Sequence, residues 1–385
     1  MIAVHFGAGN IGLGFIGLLL SQSGYRMKFI DVNTERVAAI NERGEYKVQL
    51  ANDTSDTFLV HGVSAIHGRD AGQVAQAIAE ADIVTTAVGV SALPYLAESI
   101  AEGIKLRLAA GAPSLAIIAC ENAIGGSTIL KGHVMEKLSP DLHEPAAEAA
   151  LFPDAAVDRI VPAQQHEDQL LVTVEPFFEW IVDRMALPAD FPALLGVQYV
   201  DQLEPYIERK LFTVNTGHAS TAYAGYLKGY ETIQEAMKDE AVVAHVRTVL
   251  AETGEVLVRQ HGFDGTEHER YIDKILNRFR NPYLTDEIVR VGRSPIRKLS
   301  RYDRLVRPAL LAHEMGGKTP GLIRAIAEAL SFDSPEDQEA MELQGELKQH
   351  GLSAVIARYT GIEGEHPLHA SIVAAYEKLH SGREA

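Results

Sequence analysis

Within a strongly helical stretch, residues 204–228, Lys210, Asn215 and His218 carry side chains that could work together on an alcohol. On an α-helix turning about 100° per residue they fall within an arc of about 140° and can point into one cleft. Removing hydride from a secondary alcohol requires a base for the hydroxyl proton and donors for the oxyanion that develops. A partly buried lysine with a lowered pKa can be that base, and asparagine and histidine can be the donors. Taken alone, a solvated helix lysine and a satisfied core histidine are the better reading of Lys210 and His218. Asn122 follows the apolar run ending in Cys120. That is the carboxyl edge of a parallel sheet, where ligands of open α/β folds gather, and a turn-forming asparagine is the equal alternative.

A second set lies at the start of the chain. Gly7-Ala8-Gly9-Asn10-Ile11-Gly12 is a G-x-G-x-x-G pattern between an apolar run, 2–6, and a helical stretch. Such a loop turns tightly, lets backbone approach a pyrophosphate, and presents helix N–H groups to it. Asp31 closes the next strand-like run, placed to accept hydrogen bonds from adenosine ribose hydroxyls. A carboxylate there repels a 2′-phosphate, so the expected cofactor is NAD rather than NADP. Ala3, Gly14 and Val88 complete the candidate cofactor-binding residues.

A third set is cationic. Residues 288–308 contain Arg290, Arg293, Arg297, Lys298, Arg301, Arg304 and Arg307 against the single acid Asp303, in a chain of formal net charge −17. The planar fork of arginine suits a phosphate, which points to a sugar-alcohol phosphate. For Arg301, Arg304 and Arg307 the solvated face of a helix capped by Ser300-Arg-Tyr-Asp303 is the better reading. Asp183 is a weaker candidate for a sugar hydroxyl.

The elements that must position these groups follow from the pattern. Strand-like runs at 2–6, 27–30, 83–88 and 115–120 alternate with helical segments, the signature of a doubly wound parallel sheet. A further β-rich piece, 160–161 and 170–174, is expected to extend that sheet or pack at its edge. From about Asp190 strand signals stop and helical periodicity dominates, including 232–260 and 303–315. The expected architecture is an N-terminal Rossmann-type α/β domain, 1–190, and a mainly α-helical domain, 191–385, with NAD over the sheet edge and substrate in the cleft between domains.

Composition narrows the partners. With 385 residues, 46% hydrophobic, the chain can bury more than one core. Its negative charge opposes binding to nucleic acid or to an anionic membrane. A single cysteine excludes an intrachain disulfide and a cysteine-built zinc site, fitting a cytoplasmic protein. No targeting segment is read. The expected partner is a small molecule, and the expected assembly a monomer or weak homo-oligomer.

Residues 5–12, the segments Ala119-Cys-Glu-Asn122, Ala156-Val-Asp-Arg-Ile-Val-Pro162, Glu208-Arg-Lys-Leu-Phe-Thr-Val-Asn-Thr-Gly-His218, Asn281-Pro-Tyr283 and Arg297-Lys-Leu-Ser300 together resemble the polyol-specific long-chain dehydrogenases over nearly the whole chain. The resemblance implies Lys210 as general base and acid, Asn215 and Asn122 as carbonyl and alkoxide partners, His218 as a guide for substrate hydroxyls, and Arg290 and Lys298 near the substrate. It also implies that no metal is needed. Leu13 departs from relatives that carry a basic residue after the glycine motif. The expected reaction is hydride exchange between NAD and a phosphorylated polyol. The alternatives are a sibling acting on an unphosphorylated polyol or hexuronate, and a non-catalytic NAD sensor.

Overall fold

The structure is a computed structural model that describes residues 1–161, 164 and 166–381; Pro162, which ends one of the resembling segments, and residues 382–385 lie outside the described residues. The chain divides into two compact units, Met1–Tyr206 and Ile207–Ala385.

The first unit is built on a six-stranded sheet in the order β5 (Val63–His67), β2 (Arg26–Asp31), β1 (Ile2–Phe6), β6 (Ile83–Thr86), β7 (Leu115–Ala119) and β8 (Ala150–Leu151). Every pairing in it is parallel. Apolar runs rather than alternating ones form these strands because both faces are covered. Ala3, Met27, Phe29 and Ile83 pack on one side with Leu13, Ile16 and Leu20. Val4, Phe6, Ile30 and Val84 pack on the other against helices Ala71–Glu80 and Leu93–Ala110. His5, Thr85 and Thr86 are polar exceptions. His5 is fully buried, its Nδ1 lies 2.6 Å from Thr85 Oγ1, and burial pulls its pKa down to about 3, so the ring is neutral. Strand order reverses between β1 and β6, which opens a crevice at their carboxyl ends.

The β-rich piece expected to extend this sheet or pack at its edge does not extend it. β10 (Leu171–Val174) pairs with β3 (Glu45–Leu50), which pairs with β4 (Thr57–His61). Residues 160–161 are not a strand; β9 (Ala155–Asp158) instead pairs with β11 (Glu179–Asp183). The strand signal also continues past residue 190. β12 (Val197–Val200) lies parallel to β11, so the first unit runs on to Tyr206. A four-residue strand is too short to show a period, and its partner supplies the pattern that its own residues lack.

The second unit is helical, around a core that includes Tyr223, Leu299, Leu310, Ile326, Phe332 and Ile356. The 232–260 stretch breaks into Ile233–Ala236 and Glu240–His261, because Asp239 caps the second helix through Ala241 and Val242 N–H. The helix expected from 303 begins at Val306, and Ser300 does not cap it; the Ser300 carbonyl accepts from Asp303 N–H in a turn instead. Among the described residues no helix is long and apolar enough to cross a membrane.

Candidate active site

In the first unit, the loop after β1 crosses close to the end of β6. Gly7 has φ +99°, and a Cβ there would meet the Ala87 carbonyl oxygen at 2.5 Å; one on Gly12 would meet the Gly7 oxygen at 1.9 Å. A Cβ on Gly9 would meet nothing within 4 Å. The loop is therefore tight on its protein side and open where a ligand backbone would approach. Asp31 ties it down: Oδ2 accepts from Ala8 N–H at 2.7 Å and Oδ1 from Asn33 N–H at 2.8 Å.

A cavity of about 740 Å³ opens beside this loop, bounded by Gly7, Gly9, Asp31, Arg69, Val88 and Tyr95 among others. That volume is in the range of small-molecule sites. Ala3, Gly12 and Gly14 are buried behind the wall rather than on it. Gly14 is held to a hydrogen by Val174 and Val172 of β10, whose methyls a Cβ would meet at 2.6 and 2.8 Å. Asn10 is exposed and Ile11 half-buried at the helix start.

Glu121, just before exposed Asn122, braces the stretch 86–89, of which Ala87 and Val88 border the cavity. Its buried carboxylate accepts from Thr86 Oγ1 (2.8 Å) and Val88 N–H (3.0 Å) through Oε1, and from Gly89 N–H (2.8 Å) through Oε2. Asp183 closes β11 and accepts from Met185 N–H at 2.9 Å, the arrangement of a turn-former.

Helix Glu204–Arg209 passes at Lys210, within the second unit, into a π-helical turn, Lys210–Asn215, and then helix Thr216–Leu227. The Thr216 N–H reaches back to the Leu211 carbonyl, the five-residue step of a π turn. This turn brings Asn215 round to lie above Lys210, closer than the 140° arc of a regular helix implies. Burial agrees: within 210–220 only Lys210, Leu211, Asn215 and His218 are half-exposed, and all the others are buried. Both ends of the turn are anchored. Glu208 accepts from His261 Nε2 (2.6 Å) and Gln260 Nε2 (2.9 Å), and Arg209 lies over the Tyr271 ring at 4.5 Å. Thr216 Oγ1 donates to the carbonyls of Leu211 (3.0 Å) and Arg304 (2.6 Å).

The His218 ring stacks on Phe279, centroids 4.9 Å apart and planes 13° from parallel. Its Nε2 lies 2.9 Å from Asp286 Oδ2. The two atoms are at ion-pair distance but not aligned as a directional hydrogen bond. The other Asp286 oxygen accepts from Arg290 Nε at 2.9 Å and from Nη2. Burial alone would raise the Asp286 pKa; His218 and Arg290 outweigh it and hold the carboxyl below its ordinary value.

The cationic segment resolves into parts. Arg293 and Arg297 are exposed, and Arg290 is half-exposed. Lys298 is buried, and its Nζ donates to the carbonyls of Val291 (2.6 Å) and Arg293. Burial, with Arg304 and Arg297 nearby, pulls its pKa down to about 7. Tyr223 Oη donates to the Gly292 carbonyl and Ser294, at φ +58°, donates its N–H to Asp337, so the turn 291–294 is pinned from three sides. Arg301 donates to the Gly361 carbonyl, and Arg304 pairs with Asp303.

Residues 1–196 match the mannitol dehydrogenase Rossmann domain and residues 202–380 the mannitol dehydrogenase C-terminal domain. The chain belongs to the mannitol dehydrogenase family. It is a dehydrogenase of that family, similar along almost its full length to proteins named mannitol-1-phosphate 5-dehydrogenase. The one from Brevibacillus brevis is 55% identical over 96% of this chain and 95% of its own; the one from Bacillus subtilis is 48% identical over 97% and 99%. Two solved structures share the fold. A substrate-free D-sorbitol dehydrogenase has a TM-score of 0.83 at 16% identity, covering 99% of this chain and 93% of its own. Pseudomonas fluorescens mannitol 2-dehydrogenase, in a ternary complex with NAD and D-mannitol, has a TM-score of 0.73 at 19% identity, covering 100% and 92%.

Two residues that brace the candidate groups, one in each unit, escape a reading of the sequence. Glu121 carried a signal, a carboxylate at the carboxyl end of an otherwise apolar strand run. Asp286 carried a weaker one, an acid four residues before Arg290.

Proposed function

We propose that this chain interconverts D-mannitol 1-phosphate and D-fructose 6-phosphate with NAD(H). The observation that carries the reading is the half-exposed face holding Lys210, Asn215 and His218 in an otherwise buried run, in the same unit as the exposed Arg293 and Arg297. The names of relatives at 46–55% identity support the substrate. NAD, when bound, supplies the hydride acceptor, and the open side of Gly9 with the Asp31 carboxylate fits its pyrophosphate and adenosine ribose.

In alcohol oxidation the Lys210 amine takes the hydroxyl proton while the Asn215 amide donates to the developing alkoxide; in ketone reduction Lys210 returns the proton. Asn122 is the second amide partner that the family resemblance implies. His218 contacts the polyol hydroxyls. Arg290, Arg293 and Arg297 meet the phosphate, and Lys298, with two carbonyls already on its amine, acts by holding the turn that carries Arg293.

The test compares NADH oxidation with fructose 6-phosphate and with fructose, in the wild type and in Arg293→Ala and Arg297→Ala. A strong preference for the phosphate, eroded by either substitution through KM, is the expected result. Equal use of free fructose would overturn the phosphate reading.

A further inference from the structure

Asp286 sits between two residues of the proposed site with one oxygen turned to each. Its side chain is 2% exposed, while those of His218 and Arg290 are 19% and 37% exposed. A carboxylate at that depth is costly unless both oxygens are paired. Oδ1 is paired with Arg290. Oδ2 and His218 Nε2 are both shielded from solvent, and among the described residues neither has a hydrogen-bond partner, yet they stand 2.9 Å apart. At that distance the two need only be aligned for each to satisfy the other. Phe279 stacks on the face of the ring and fixes its plane. The backbone of Asp286 is itself fixed: its carbonyl accepts from Ile233 N–H at 2.9 Å and its N–H donates to Gln234 Oε1 at 3.3 Å.

We propose that Asp286 is a positioning residue that holds the His218 ring with Nε2–H toward its carboxylate and Nδ1 turned to the substrate, and that it sets the spacing between His218 and Arg290. The inference rests on the reading of His218 and Arg290 as substrate contacts. In the neutral ring this tautomer makes Nδ1 an acceptor, and an acceptor recognises a hydroxyl hydrogen. Arg290 gives Asp286 its Nε and Nη2 edge, which leaves the Nη1 hydrogens for an anion. One buried carboxylate thus fixes how far a hydroxyl contact stands from a phosphate contact. The ligand class that matches is a polyol or ketose carrying a terminal phosphate.

The experiment is a double-variant cycle of Asp286→Asn and His218→Ala, read as kcat and KM for fructose 6-phosphate, with NADH affinity as a control. Asp286→Asn is expected to lower kcat/KM by 10- to 100-fold with NADH affinity within twofold of wild type. In the His218→Ala background the same substitution is expected to cost less than threefold, because the ring it holds is already gone and the new amide oxygen can still accept from Arg290 in place of Oδ1. A full additional loss in that background, or wild-type kinetics for Asp286→Asn, overturns the proposal. Imidazole ¹⁵N shifts of His218 in the unaltered protein at alkaline pH give a readout independent of folding of the variants: the proton on Nε2 supports the proposal, and the proton on Nδ1 overturns it. Absence of wild-type turnover with any polyol phosphate or ketose phosphate would instead refute the proposed function, and the ring measurement would still judge Asp286.

Discussion

Replacing Glu121 with glutamine should loosen the cofactor cavity without replacing any residue expected to meet the substrate. The amide keeps the size of the side chain, and its oxygen can still accept from Thr86 Oγ1 and Val88 N–H. Its NH₂ group cannot accept from Gly89 N–H, and two donors are then set against each other at 2.8 Å. A hydrogen bond to a charged group contributes about 1.5–3 kcal/mol. Gly89 is exposed and can turn to water, so the lower part of that range applies. Adding the weakening of two charge-assisted bonds to neutral ones brings the loss to about 2 kcal/mol. For a unit of this size, that is about 4–8 °C in Tm. Part of the cost reappears on binding, since residues 87–89 must be reordered against the ligand. Up to about 1.4 kcal/mol, or a tenfold rise in Kd for NADH, is the expected share. Thermal unfolding and NADH fluorescence titration read the two quantities separately. Wild-type values for both would refute the idea that this carboxylate shapes the cavity.

Lys210→Ala should lower kcat by several orders of magnitude and leave NADH affinity within about twofold, measured by single-turnover kinetics and titration; near-normal turnover would remove Lys210 from proton transfer. Lys298 gives a stability signature in pH. Its folded pKa of about 7 lies below the ordinary lysine value, so between those two limits the unfolded chain binds the extra proton. Stability should therefore rise with pH through that window, and fall as pH drops toward 7. Comparing wild type with Lys298→Met in urea at pH 7 and 9.5, the wild type should gain on the variant by an amount on the order of a few kcal/mol. A constant difference would mean that the amine is not held in that state.

The glycine loop could be read from its residues because each demand falls on one residue type: Gly7 needs a positive φ, and Gly12 a backbone within reach of the Gly7 carbonyl. Spacing put Lys210, Asn215 and His218 on one helical arc, but only the family resemblance set the catalytic reading above a solvated lysine and a core histidine, and spacing did not give their geometry. Helical periodicity assumes the regular step, and the π turn at Lys210–Asn215 alters it where the chemistry is expected. β10 could not be placed because its partner, β3, lies far back in the chain and neither strand carries a register signal. Asp286 was hidden for a related reason. Its local spacing to Arg290 is visible, but its position against His218 depends on how helix Thr216–Leu227 packs in the folded unit.

Asp31 does two things with one carboxylate, and this bears on redesign. Its oxygens already brace the glycine loop at Ala8 and the turn at Asn33, while the same group would receive the ribose. Cofactor preference and loop shape are therefore not separately adjustable at this position. A neutral side chain chosen to admit a 2′-phosphate would also release the Ala8 amide, so a useful exchange of cofactor would need a second change that gives that amide a new acceptor.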